Sequence, residues 1–373
     1  MLTDWRGLPV TASGDATVEA IDTFVEGFLG YENKAASIVA AADADAESTL
    51  ANAYAAMFCM FLESREAPGM AAGYLDRAQA AAATATERER LVLDAVQAWA
   101  AGDMPRAIAV GEEVASLYPR EIATAKATQY HYFNLGDAAG MLRISEKIST
   151  ENADLSYAHG MAAFAYEQAH LLEDAEASAR RAITLQRKEP WAHHALSHVF
   201  LAQGRTTEAR GFLEDVKESW TDLNSFMFSH NWWHMALVMI DQGDSEAILG
   251  FYDKNIWGLW KEYSQDQIGA VSLLARLELV GVDVGDRWLG MSRTRPCCCS
   301  SFSACSTWRK DSPDLRLPFC APSGTRGCRR SFRSPGTGWS GCRWGRFSAL
   351  ASASVSSASG SALVSACSLP PFF

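Results

Sequence analysis

The sequence predicts an all-α chain, a right-handed α–α superhelix of stacked helix–turn–helix units. Three observations carry this. Apolar residues recur at three- and four-residue spacing along most of the first 288 residues. No segment alternates polar and apolar residues as a half-buried strand does. Helix-ending residues recur at a fixed period: Pro68, Gly102, Gly136, His170 and Gly204 each lie 34 residues after the one before, and Gly243 follows after 39. One helical hairpin cannot bury its apolar face alone, so such a period implies a stack of them.

Residues 1–15 read as a turn-rich lead-in around Gly7, Pro9 and Gly14. A helix over 16–29 places Val18, Ile21, Phe24, Val25 and Phe28 on one face, and Gly30 follows as its stop. Short helices follow over 33–42 and 46–64, and after the Pro68-Gly69 turn another covers 70–83. Thr86 and Glu89 are spaced as a capping box, the Thr oxygen accepting from a first-turn amide while the Glu reaches back. They start a helix that stops at Gly102-Asp103. Pro105 fits the first turn of the next helix, where its missing amide proton costs nothing, and that helix ends near Pro119. Further pairs are expected over 121–135 and 138–149, 153–169 and 172–186, and 191–203 and 207–220. A last pair covers 223–241 and a helix through Tyr252, and one more helix lies near 266–279.

Charge and cysteine divide the chain. Residues 289–373 hold ten Arg and one Lys against Asp311 and Asp314, whereas the first 288 residues hold 22 basic and 42 acidic side chains. A body that acidic repels nucleic acid and anionic lipid, so neither is an expected partner. Its one cysteine, Cys59, sits in an apolar run, which implies a buried inert thiol and excludes a disulfide framework. No basic start followed by an apolar core opens the chain, and the body has no uncharged apolar run able to span a bilayer. A cytoplasmic protein is expected.

The period and its turns resemble the tetratricopeptide repeat. In that family a small residue follows the turn glycine by five positions, as at Ala107, Ala175 and Ala209; Met141 departs. The family's aromatic four positions before the turn matches Tyr132, Tyr166 and Phe200, and its small residue three positions earlier matches Ala163 and Ser197. Its Trp matches Trp232 and its closing Pro matches Pro119, while the unit at Pro68 matches poorly. Over nearly the whole body the chain resembles the tetratricopeptide repeat protein 38 family. The carrying motifs are Asp4-Trp5-Arg6-Gly7-Leu8-Pro9, His159-Gly160-Met161, Trp191-Ala192-His193-His194-Ala195-Leu196-Ser197-His198, His230-Asn231-Trp232-Trp233-His234 and Tyr252-Asp253. That resemblance implies a helical solenoid and brings no reaction with it.

From residue 289 the composition changes: Glu, Gln, Asn, His, Ile and Tyr disappear, and 19 Ser and eight Cys take their place. Residues 1–288 are therefore read as one helical repeat domain. Residues 289–373 are read as a low-complexity Arg/Ser/Cys-rich tail, disordered and produced by out-of-frame translation; a genuine Arg/Ser-rich arm is the alternative. Members of the resembled family continue with more helices here. Losing them is expected to leave the last helices without a stacking partner and the chain poorly soluble.

All eight histidines lie between His131 and His234. His159 and His193 hold the register where the repeat packs a Trp and read as packing residues. His198, His194, His234 and His230 lie six, ten, nine and thirteen residues before their turns, offsets that share one helical stripe. In the resembled repeats that stripe lines the concave groove, and Glu167 lies on it too. First helices of successive repeats pack about 8–10 Å apart, so the two His-x-x-x-His pairs are able to meet across one groove.

Three readings stay open. The stripe is a polar lining that helps the helices pack. Or it is a groove in which Glu167, His194, His198, His230, Asn231, Trp233 and His234 bind a protein, a peptide or a small acidic ligand. Or the four histidines hold a divalent metal, with Glu167 or Asp241 nearby. No H-E-x-x-H supplies a metalloprotease base, and no phosphate loop or nucleophile elbow occurs in the body. Trp220, Trp232, Trp233, Trp257 and Trp260 read as core, with Trp233 the groove candidate. The expected function is a non-catalytic binding scaffold needing no cofactor; a metal-dependent enzyme or metal-binding protein is the alternative.

Overall fold

The computed structural model describes residues 2–244, 247–257 and 259–292. All but the first four residues of the expected tail lie outside these. Two short strands, β1 (Leu2–Thr3) and β2 (Pro9–Val10), come first. The helices follow as α1 (Asp15–Leu29), α2 (Ser37–Ala44), α3 (Thr49–Met60), α4 (Ala67–Ala81), α5 (Glu87–Ala100), α6 (Met104–Leu117), α7 (Ile122–Leu135) and α8 (Ala138–Ser149). Then come α9 (Ser156–Gln168), α10 (Leu172–Leu185), α11 (Pro190–Ala202), α12 (Thr206–Val216), α13 (Ser225–Asp241), α14 (Ile248–Phe251), α15 (Ser264–Leu279) and α16 (Arg287–Ser292). Successive hairpins stack into an all-α superhelix, and α9, α11, α13 and α15 pack one against the next. Helix α16 crosses the boundary expected at residue 288. No described helix is long and apolar enough to cross a membrane.

The turn that sets the period is one local structure used repeatedly. Gly102, Gly136, His170, Gly204 and Gly243 all have left-handed backbone, with φ between 62° and 77°. The amide after each reaches back to a carbonyl five residues earlier: Asp103 to Ala98, Asp137 to Tyr132, Leu171 to Tyr166, Arg205 to Phe200 and Asp244 to Met239. This is the Schellman closure of a helix end. In two turns the following Asp then caps the next helix, Asp103 accepting from the Arg106 amide at 3.2 Å and Asp137 from Gly140 at 2.9 Å. A Gly-Asp pair thus ends one helix and starts another. The capping box at Thr86 and Glu89 is present, and Pro105 occupies the first turn of α6.

Three expectations are corrected. Pro68 is not a turn but lies in the first turn of α4, where proline is tolerated. The left-handed residue of that unit is Glu63 (φ 51°), so the interval to Gly102 is 39 residues. A further turn at Gly281 (φ 87°), with Val282 donating to the Leu277 carbonyl, follows α15 and was not expected. The lead-in contains a β-hairpin, Leu2 opposite Val10 and Thr3 opposite Pro9, too short to show alternation. It is built around Asp4. One carboxylate oxygen accepts from the Arg6 and Leu8 amides at 3.0 and 2.9 Å, and the other pairs with Arg88 at 2.9 Å.

The concave side is not an open groove. The segment joining α1 to α2 lies across it: the Asn33 amide donates to the Asp222 carbonyl at 2.9 Å, and the Asn224 amide to Tyr31 at 2.7 Å. Lys126 of α7 donates to the last carbonyls of α1, Phe28 at 2.7 Å and Leu29 at 3.0 Å. From the other end of the superhelix Tyr263 donates to the Phe61 carbonyl at 3.3 Å, and Gln265 donates to the Glu63 carboxylate. The chain itself thereby covers part of the concave face.

Candidate functional site

The four histidines of the two His-x-x-x-His pairs converge. Helix α11 starts at Glu189, whose carboxylate caps the Ala192 amide, and α13 starts at Asn224, which caps Met227 at 2.9 Å. Four-residue spacing stacks each pair on one helix face. The Nε2 atoms of His194 and His198 are 3.0 Å apart, and those of His230 and His234 are 3.2 Å apart. Packing of α11 on α13 closes the set, with ring centroids of His194 and His230 at 4.9 Å and of His198 and His234 at 4.6 Å. Each residue offers one ring nitrogen within 4.8 Å of all the others.

Aromatic side chains surround the rings. Trp191 stacks on His194 at 4.4 Å, while Phe226 and Trp233 stack on His230 at 5.1 and 5.5 Å. His194 and His234 are buried and His198 keeps 30% of its side chain exposed. Burial, then the neighbouring imidazoles, holds the ring pKa values of His194 and His234 well below the usual histidine range; burial and His198 hold His230 at about 3. The Nδ1 atoms of His194 and His234 have no hydrogen-bond partner. Each such buried nitrogen costs roughly 1–3 kcal/mol.

Glu167 closes one side, its carboxylate 3.3 Å from His198 Nδ1. Burial pushes that carboxyl up, but His198 and the Gln168 amide, donating at 2.6 Å, outweigh it and leave it below the usual range. Asp241 does not join the cluster. Asn231 is corrected: it is fully buried, donating to the Pro190 carbonyl at 3.4 Å, because it faces the start of α11 and not the concave side. Trp233 packs on His230 and against Arg276. His193 is a packing residue with both nitrogens used: Nδ1 accepts from Trp220 at 3.1 Å and Nε2 donates to the Arg187 carbonyl at 2.9 Å. His159 uses one nitrogen, on the Ala153 carbonyl at 3.0 Å. The Cys59 thiol is buried, which pushes its pKa up to about 11.

A cavity of about 780 Å³ lies under the roof of the concave side, and none of the four histidines lines it. Tyr31, Phe133, Phe164, Trp191, Phe226 and Tyr263 supply much of its wall; Phe164, Trp191 and Phe226 also touch the rings of His194 and His230. Trp220 and Trp260 belong to the wall, whereas Trp232 and Trp233 do not. Glu63, Gln129, Asn134 and Gln265 supply polar groups. Lys126 lies 3.5 Å from the Tyr31 ring centre. Burial drives its ammonium pKa down; the two α1 carbonyls and the ring favour the charged form. The wall is drawn from α1, α3, α7, α9, α11, α13 and the 220–224 and 259–265 segments, so no local spacing in the sequence marks it.

No protein-family model matches the chain. Among solved structures, it is similar to a MamA protein at 14% identity and TM-score 0.36, covering 52% of this chain and 96% of that one. It is also similar to MamA 41-end from Desulfovibrio magneticus RS-1, at 19% identity and TM-score 0.34, over 44% of this chain and 90% of that one. The P58(IPK) TPR domain matches at 12% identity and TM-score 0.25, over 75% of this chain and 99% of that one.

Proposed function

We propose that this chain is a non-catalytic binding protein of the tetratricopeptide-like kind, and that a small, largely apolar molecule occupies the cavity on its concave side. The single observation that carries this is the cavity itself: about 780 Å³, walled by aromatic rings, with a few carboxylate and carboxamide groups. Volume and lining fall within the range of small-molecule sites. A protein or peptide lying along the groove is less well supported, because the Tyr31–Asn33 backbone already pairs with residues 222–224 there.

Phe133 tests the reading. It lines the cavity, packs at a tilt on Phe164 with ring centres 5.2 Å apart and is 39% exposed, so a polar replacement is tolerated by the fold. An environment-sensitive uncharged apolar dye such as Nile red is expected to bind the wild type stoichiometrically. Phe133→Asp is expected to weaken it by roughly 10–100-fold, the equivalent of one lost aromatic contact surface. Unchanged dye affinity in a folded Phe133→Asp variant would contradict the assignment. Stoichiometric capture of a protein partner with undiminished affinity by that variant would transfer the function to another surface.

A further inference from the structure

We propose that His194, His198, His230 and His234 are the ligands of a divalent transition-metal ion of the zinc class, with Glu167 as the carboxylate that orients one of them. The spacing is close to what such an ion needs. Tetrahedral zinc holds imidazole nitrogens at about 2.0–2.1 Å, which sets ligand atoms roughly 3.3–3.4 Å apart. The two Nε2 pairs, at 3.0 and 3.2 Å, are already near this value, and the widest separation, within 4.8 Å, closes by little more than an ångström.

The tautomer of His198 supports the assignment. The Glu167 carboxylate at 3.3 Å from His198 Nδ1 fixes the proton there, so the Nε2 of a neutral His198 presents a lone pair to the cluster. In the metal-free pair the proton between the rings sits on His194 Nε2; ligation through that nitrogen moves it to Nδ1. A carboxylate–histidine pair of this kind is the usual outer support of a metal ligand. Trp191, Phe226 and Trp233 clamp the rings, and the partly exposed His198 and His230 leave a way in.

Four protein nitrogens fill a tetrahedron and leave no position for substrate water, so the ion is a staple and not a Lewis acid. It joins α11 to α13, the first helices of two successive repeats. The proposal is independent of what occupies the cavity.

The test uses the full chain, alkylated with iodoacetamide so that the eight cysteines of residues 297–367 cannot bind metal; Cys59, 4% exposed with its thiol pKa near 11, is spared. After chelator treatment, Co²⁺ is expected to bind at one equivalent with the visible spectrum of a tetrahedral all-nitrogen site, and Zn²⁺ to displace it and raise the Tm. His198→Ala, at a partly exposed ligand, is expected to keep the metal-free Tm and lose the equivalent; His230→Asn serves if that variant does not fold. Glu167→Gln is expected to keep the equivalent with roughly 10–100-fold weaker binding. The assignment is overturned if the alkylated wild type takes up no stoichiometric Co²⁺, or if the histidine variants bind it as tightly as the wild type.

Discussion

Eight histidines share one chain and differ by what their nitrogens meet. His193 shows the packing solution, donating to a carbonyl and accepting from an indole. His131 packs edge-on against Trp99 at 4.6 Å with its Nδ1 unpartnered. Burial lowers both rings to about 4. The sign follows from proton counting. Above pH 6.5 both states are neutral and the full stability is present. Below it the unfolded chain takes up protons that the folded chain refuses, so stability falls until about pH 4. Each ring contributes about 1.4 kcal/mol per pH unit, roughly 3 kcal/mol over the window. Thermal melts between pH 7 and 4.5 are expected to show this decline, and His131→Phe to flatten it by one ring's share. Equal slopes in the two proteins would contradict it. The repeat register, counted from the turns, was enough to separate His159 and His193 from the other four. It was not enough to place Asn231, because a one-residue offset on a helix turns a side chain by about 100° into the packed interface.

At the scale of elements, the turns explain most of what was readable. A left-handed residue closes each hairpin, and glycine meets that need without steric cost. His170 fills the same place at φ 62°. His170→Gly is therefore expected to stabilise the protein by up to ~1 kcal/mol, and Gly136→Ala to destabilise it by ~1–2 kcal/mol, both read from urea unfolding. The opposite order would mean that side-chain contacts of His170, and not its backbone, hold the turn. Glu63 escaped notice because glutamate carries no left-handed signal, while Pro68 supplied a false one: proline both breaks helices and opens them. Glycine also acts away from turns. A Cβ on Gly160 would lie 2.8 Å from the Glu189 carboxylate, which caps α11 and which burial raises to about 8. The His159-Gly160-Met161 motif thus makes room for a helix cap.

For the molecule as a whole, the Asp4 motif serves closure and not chemistry. Arg88, 2% exposed, joins Asp4, the Pro9 carbonyl at 2.9 Å and Glu121 at 2.7 Å, while Arg6 reaches Asp154 at 2.9 Å beyond α8. Removing one member of such a buried set leaves uncompensated charge and costs about 3–5 kcal/mol. Arg88→Ala is expected to lose that much and to release the β1–β2 hairpin, seen as fast hydrogen exchange at the Arg6 and Leu8 amides. Retained protection there would show that the hairpin holds by itself.

By itself the sequence determined what is local: helices from apolar period, turns from their helix-ending residues, the capping box at Thr86 and Glu89, and one shared stripe for His194, His198, His230 and His234. Each depends on neighbours within about five positions, where backbone stereochemistry decides. Tertiary structure alone decided how far apart those stripes lie and what covers them. The roof over the concave side joins Tyr31 to Asn224 and Phe61 to Tyr263, contacts about two hundred residues apart. Such contacts depend on the accumulated curvature of every repeat between them, and no spacing along the chain records that sum.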